Sequence, residues 1–273
     1  RDLGYIEAKN IGFVFRTAEG NSERYAGLAA ELVRLKVDII VADGTAPSLA
    51  AKKATGTIPI VMTTSGDPVG TGLVASFARP GGNVTGLSSV TGELGGKLLE
   101  LLKETVPGLN RVAILMPAGP ANDLFVKETE LSARALGVKL IPLIYRGPED
   151  LEAAFRSATK ERANGLMVRP GPGASTVDLK WVAELTVKNR LPSISTASRW
   201  ADSGGLMSYG ASQTDMYRRA ATFVDKILKG TKPADLPIEA PMKFEFIVNL
   251  SAAKQIGLTV PPNVLVRAQK VIR

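Results

Sequence analysis

Three features of the sequence predict an α/β fold of two lobes, each a doubly wound parallel sheet with helices on both faces. Segments of strand character alternate with segments of helical period, the signature of right-handed βαβ units. About ten strands can be read, more than one doubly wound sheet usually carries. The same order of elements restarts near Glu93, as it would if a second lobe followed the first.

Each element has a local reason. Residues 1–5 read as the last turn of a helix closed by Gly4, so the chain is expected to begin inside an element. A strand is predicted over 11–16. Ser22 can cap an amphipathic helix over 23–36 that carries Leu28, Leu32 and Leu35 on one face. The β-branched run 37–42 predicts a buried strand. A small-residue helix over 47–55 leads to a strand over 58–62. Asp67 before Pro68 has the form of an N-cap followed by proline at the first helical position, and predicts a helix to about Ala78. A turn at 79–82 then feeds a strand over 83–87.

After the restart, helices are predicted over 93–105, 123–136, 148–162, 177–189 and 216–228. The strands between them fall at 111–115, 139–145, 165–168, 192–196 and 205–209. Beyond Gly230 the chain becomes proline-rich. It then predicts a strand over 243–249, a short helix over 251–256 and a final segment after Pro262.

Composition excludes several chemistries. The 273 residues contain no histidine and no cysteine. That removes Ser-His-Asp and Cys-His nucleophile systems, a histidine base, Cys/His zinc sites and disulfides. The net charge of +8 is spread without a run of five basic residues or interleaved aromatics, so nucleic-acid binding is not expected. No apolar run approaches the roughly 20 residues that span a bilayer. The stretch around Gly171 and Gly173 lacks the Gly-Lys-Ser/Thr ending of a phosphate loop, and Pro170 and Pro172 remove backbone donors. No cofactor and no metal are expected.

Ligands of such folds bind beyond the carboxyl ends of the strands. That rule selects the loops at 43–48, 63–67, 88–91, 117–122, 169–175, 196–200 and 209–214. Their candidate ligand-binding residues are Thr45, Ala46, Ser65, Asp67, Ser89, Pro117, Asn122, Arg169, Arg199, Trp200 and Tyr209. Asp67 can hold a ligand amine or hydroxyl, or cap a helix. Asp43, Asn122 and Asp123 carry the same two readings, with Asn122 and Asp123 expected as caps. Arg169 and Arg199 can pair with a ligand carboxylate or stand as surface charge. Trp200 can stack on a ligand or pack a hinge, whereas Trp181 reads as core.

Several phrases carry a resemblance. The most specific is Gly72-Leu73-Val74-Ala75-Ser76 followed by Arg79-Pro80-Gly81-Gly82-Asn83-Val84-Thr85-Gly86. It is joined by Gly66-Asp67-Pro68-Val69, by Gly204-Gly205-Leu206-Met207-Ser208-Tyr209-Gly210 and by Leu258-Thr259-Val260-Pro261-Pro262. In these the chain resembles the substrate-binding proteins of bacterial ABC transporters, in the group related to tryptophan- and tyrosine-binding lipoproteins.

The resemblance implies a type I periplasmic-binding-protein fold of two Rossmann-like lobes, residues 1–87 plus 210–240 and residues 88–209 plus 241–273. It also implies that the first lobe lacks its opening strand. The implied role is extracytoplasmic: capture of a small solute, an amino acid or another small carboxylate, between lobes that close at a hinge, with delivery to a membrane permease. A monomer is expected, in the periplasm or lipid-anchored, touching the membrane only through the permease. No enzyme activity is expected. The alternative is the effector-binding core of a LacI-like transcription regulator, which shares this fold.

Overall fold

The computed structural model describes residues 2–19, 21–89, 94–117, 120–170 and 176–273. In chain order the helices are α1 (Tyr25–Arg34), α2 (Thr45–Ala54), α3 (Leu94–Thr105), α4 (Pro120–Ala135), α5 (Leu151–Lys160), α6 (Thr176–Lys188), α7 (Arg199–Asp202), α8 (Gln213–Leu228), α9 (Leu250–Gln255) and α10 (Pro262–Leu265). The strands are β1 (Ile40–Ala42), β2 (Ile60–Ser65), β3 (Val84–Ser88), β4 (Arg111–Pro117), β5 (Lys139–Tyr145), β6 (Gly165–Val168), β7 (Ser193–Ser195), β8 (Met207–Ala211), β9 (Phe244–Asn249) and β10 (Lys270–Ile272). They fall into two compact units, residues 1–90 plus 213–241 and residues 91–212 plus 242–273.

The first unit is built on a parallel sheet in the order β1-β2-β3. Ile60, Val61 and Met62 are fully buried in β2, the middle strand, and every residue of β3 is buried. Such unbroken burial marks strands covered on both faces. Helix α8 packs over β2 and β3. On the far side of β3, Glu239 donates its N–H to Gly86 O and accepts that of Ser88, closing this edge. At the opposite edge, β1 has no strand beside it among the described residues, and Val41 there is 54% exposed.

Two predicted elements of this unit do not form. Residues 11–16 are not a strand: only Ile11 makes a bridge, to Glu7, and Phe13, Val14 and Phe15 are exposed. Strand propensity is realised only against a partner backbone, and none lies beside this segment among the described residues. The predicted helix after Asp67 is a single turn. Asp67 does act as a cap, accepting the Gly70 N–H on Oδ1 at 2.8 Å, and Thr71 N–H returns to Asp67 O. Gly72 then takes φ +71°, and with Gly70 two residues earlier the helix cannot propagate.

The second unit is a seven-stranded sheet in the order β10-β9-β8-β7-β6-β4-β5. Its pairs are parallel except β8 with β9, a departure from the all-parallel expectation. Alternate residues of β4 supply two cores. Val112, Ile114 and Met116 meet α3, α4 and α10 through Leu98, Leu102, Phe125 and Val264. Ala113 and Leu115 meet α5 and α6 through Phe155, Leu179 and Ala183. Each fully buried leucine contributes roughly 1.5–3 kcal/mol relative to exposure.

Helix α4 starts at Pro120, earlier than predicted, so Asn122 and Asp123 lie in its first turn and are not its caps. The predicted helix start at Glu93 and the loop residues 90–92, 118–119 and 171–175 lie outside the described residues. Among the described residues no helix is long and apolar enough to cross a membrane.

Candidate functional site

In the first unit, three successive strand ends place their loops together. Gly44, at φ +97°, turns β1 into α2, so Thr45 and Ala46 open the helix with first-turn N–H groups that have no intrahelical acceptor. Thr45 Oγ1 accepts the Gly66 N–H at 3.1 Å and lies 3.3 Å from Ser65 Oγ. The Ser89 N–H and the Ser88 hydroxyl both donate to Ser65 O, at 2.7 and 3.0 Å. Thr45, Ser65, Asp67 and Ser89 therefore form one polar neighbourhood around Gly66. Ser65 itself is 0% exposed, so it orients Thr45 and does not present its own hydroxyl. Ala46 turns its side chain toward the groove between α1 and α2, leaving only its backbone at the strand end.

Asp43 is engaged by protein on both oxygens. Oδ1 accepts the hydroxyls of Thr63 and Thr64 at 2.6 and 2.7 Å, and Oδ2 accepts Tyr217 from α8 at 2.8 Å. The carboxylate thereby locks β1, β2 and α8 together.

The second unit presents a different chemistry. Arg169 follows β6, with its N–H on Leu115 O of the neighbouring strand β4 at 2.9 Å. Its guanidinium carbon lies 4.2 Å from the centroid of the Phe125 ring on α4, a cation–π distance. Nη1 is buried and has no hydrogen-bond partner among the described residues. Burial holds the Arg169 pKa down at about 10, and the charge of Glu128, one turn beyond Phe125, opposes that shift only in part. Beside it, Pro117 ends β4 and its carbonyl accepts Asn122 Nδ2 at 2.7 Å. Ser195 Oγ donates to Val168 O at 2.7 Å and fixes the end of β7 against β6.

The remaining candidates separate from this group. Trp200 is 0% exposed within the core of Phe155, Leu179 and Ala183. A Cβ on Gly205 would come within 2.1 Å of its indole, so the residue is enclosed and offers no face to stack on a ligand. Its selection as a binding residue is corrected to packing. Arg199 opens the short helix α7 and is exposed. Tyr209 is half-buried and stacks on Phe244 at 5.7 Å with the rings 9° apart. Phe125 was missed by sequence reading. It sits at helical spacing inside an amphipathic stretch, where nothing separates a core phenylalanine from one that supports a cation.

Comparison with known proteins decides the family. The model describing ABC transporter substrate binding proteins matches residues 1–272. The chain belongs to this family. That assignment leaves the transcription-regulator alternative without support.

Among relatives of this substrate-binding protein, the tyrosine-binding protein of Clostridioides difficile (strain R20291) is 26% identical over 258 residues, 94% of this chain and 74% of that one. A conserved domain protein from Vibrio cholerae superposes with a TM-score of 0.89 at 29% identity, covering 99% of this chain and 90% of the other. The ABC domain from Streptococcus pneumoniae in complex with L-Trp gives 0.89 at 24% identity over the same shares, which speaks to the fold. The fold class read from the sequence, Rossmann-like α/β lobes of the type I periplasmic-binding-protein kind, holds.

Proposed function

We propose that this protein is the extracytoplasmic solute-binding component of an ABC importer and that its solute is a free amino acid, with aromatic ones foremost. The observation that carries this reading is the family match along the chain, joined to a relative named for tyrosine binding. In the mechanism we infer, the lobes close on the solute, and closure is what a membrane permease recognises. We take the lobes to be the two compact units, residues 1–90 plus 213–241 and 91–212 plus 242–273, within a few residues of the bounds read from the sequence.

On the first lobe, Thr45, the α2 amides, Asp67 and Ser89 receive polar groups of the solute, with a carboxylate such as Asp67 suited to its ammonium. On the second, Pro117, Asn122, Arg169 and Tyr209 form the opposing surface. Binding, orientation and release suffice for this role, so no bond of the solute is made or broken. Hinge positions belong where the chain passes between lobes, and their freedom sets the rate of closure.

Isothermal titration of the full chain with L-tyrosine, L-tryptophan, L-leucine and benzoate tests the reading. At least one is expected to bind in the micromolar range or tighter, which corresponds to roughly 8 kcal/mol or more. A folded protein that binds none of the four would refute it.

A further inference from the structure

We propose that Arg169 selects a solute bearing a carboxylate group, with the unpartnered Nη1 of its guanidinium receiving that group. The inference rests on the solute-binding reading and adds to it the group the solute must carry and the residue that demands it.

Arg16, Arg111, Arg146, Arg219 and Arg267 each face a carboxylate of this chain: Glu31, Glu161, Asp150, Glu239 and Glu104. All these pairs are at least partly open to water, where ion pairs contribute little. Arg169 makes no ion pair among the described residues, although its Nη1 is withdrawn from solvent. A charge partly withdrawn from water without a partner costs more than an exposed one, so the position of this half-buried arginine opposes stability. It is nevertheless held in place. The Phe125 ring supports one face of the guanidinium, and the backbone is pinned to Leu115.

Its setting points the same way. Strand β6 lies between β4 and β7, and Arg169 follows its carboxyl end, where ligands of such sheets bind. A rigid guanidinium on an aromatic platform, with an unused donor, is preorganised for a carboxylate oxygen. The bound carboxylate would supply the partner that Nη1 lacks among the described residues, so the solute is also expected to stabilise the protein by mass action.

The test compares acids with their amides. L-Tyrosine, L-tryptophan, L-leucine and benzoate are titrated into the full chain beside L-tyrosinamide, L-tryptophanamide, L-leucinamide and benzamide. The acid that binds is expected to exceed its amide by on the order of 100-fold, the scale of removing one partner of a desolvated charge pair. Arg169→Gln is expected to remove the preference, so that the acid binds no more tightly than its amide. Ligand-free, that variant is expected to melt at or above the wild-type temperature, which a purely structural arginine would not allow. If acid and amide bind equally, or if the variant keeps its preference for the acid, carboxylate selection is overturned and solute binding stands. If no compound binds the folded wild type, both readings fail. Should Arg169→Gln not fold, Arg169→Met takes its place, and the same outcomes decide.

Discussion

The strand ends of the two units answer the same structural problem with opposite electrostatics. In the first, the side chains largely satisfy one another: Asp43 accepts three hydroxyls, and Thr45, Ser65, Gly66 and Ser89 bond to one another. In the second, a half-buried cation on Phe125 keeps one buried donor without a partner among the described residues. The difference teaches where to look for specificity. A satisfied network stabilises and shapes, whereas an unsatisfied buried group is costly unless something outside the chain completes it.

The largest expected effect sharpens the boundary between scaffold and site in the second unit. Trp200→Ala should cost about 3–5 kcal/mol of stability, the range for emptying a buried aromatic position. Chemical denaturation would show it as a lower midpoint. Solute affinity, measured where the variant remains folded, should stay within about twofold, since truncation of a residue outside the contact surface leaves binding near neutral. A Trp200 that stacked on the solute would show the reverse pattern.

A smaller effect follows from the titration of Arg169. Because burial holds its pKa near 10 in the ligand-free protein, the charged form that receives a carboxylate is complete below that pH and depleted above it. Affinity for the acid should fall by roughly tenfold between about pH 9 and about pH 11. In the same window the depressed pKa makes Arg169 less unfavourable to the ligand-free fold as pH rises. Calorimetry of wild type against Arg169→Gln isolates both contributions, because the variant lacks this step.

The smallest effect tests the first unit. Asp43→Asn replaces an acceptor of the Tyr217 hydroxyl by an amide and should cost about 1 kcal/mol, read from thermal melting. Affinity for the solute is expected to be unchanged. A loss of affinity as large as that from Arg169→Gln would erase the contrast between the two strand ends.

Much of the fold was legible because hydrophobic period and turn chemistry are local. β5 and β6 occupy the predicted residues, and α3 and α8 end where predicted. The failures share a physical cause. Residues 11–16 have strand propensity, but a strand exists only with a neighbour. Asp67-Pro68 signals a cap correctly, yet Gly70 and Gly72 decide how far the helix runs. At the site, the rule of strand ends located Thr45, Asp67, Ser89 and Arg169. It could not separate Arg169, desolvated on Phe125, from Arg199, exposed on α7. Burial and an aromatic platform arise from α4 packing on the sheet, and no motif records them. Trp200 stood out by rarity, and its enclosure beneath Gly205 was likewise a tertiary fact.

The most direct test of the account is a crystal structure of the full chain with the acid that binds most tightly in calorimetry. The account places a carboxylate oxygen of the solute about 3 Å from Arg169 Nη1, a charge-assisted hydrogen-bond distance, with Phe125 still beneath the guanidinium. A solute bound elsewhere, or bound with its carboxylate turned away while Nη1 remains without a partner, would contradict it.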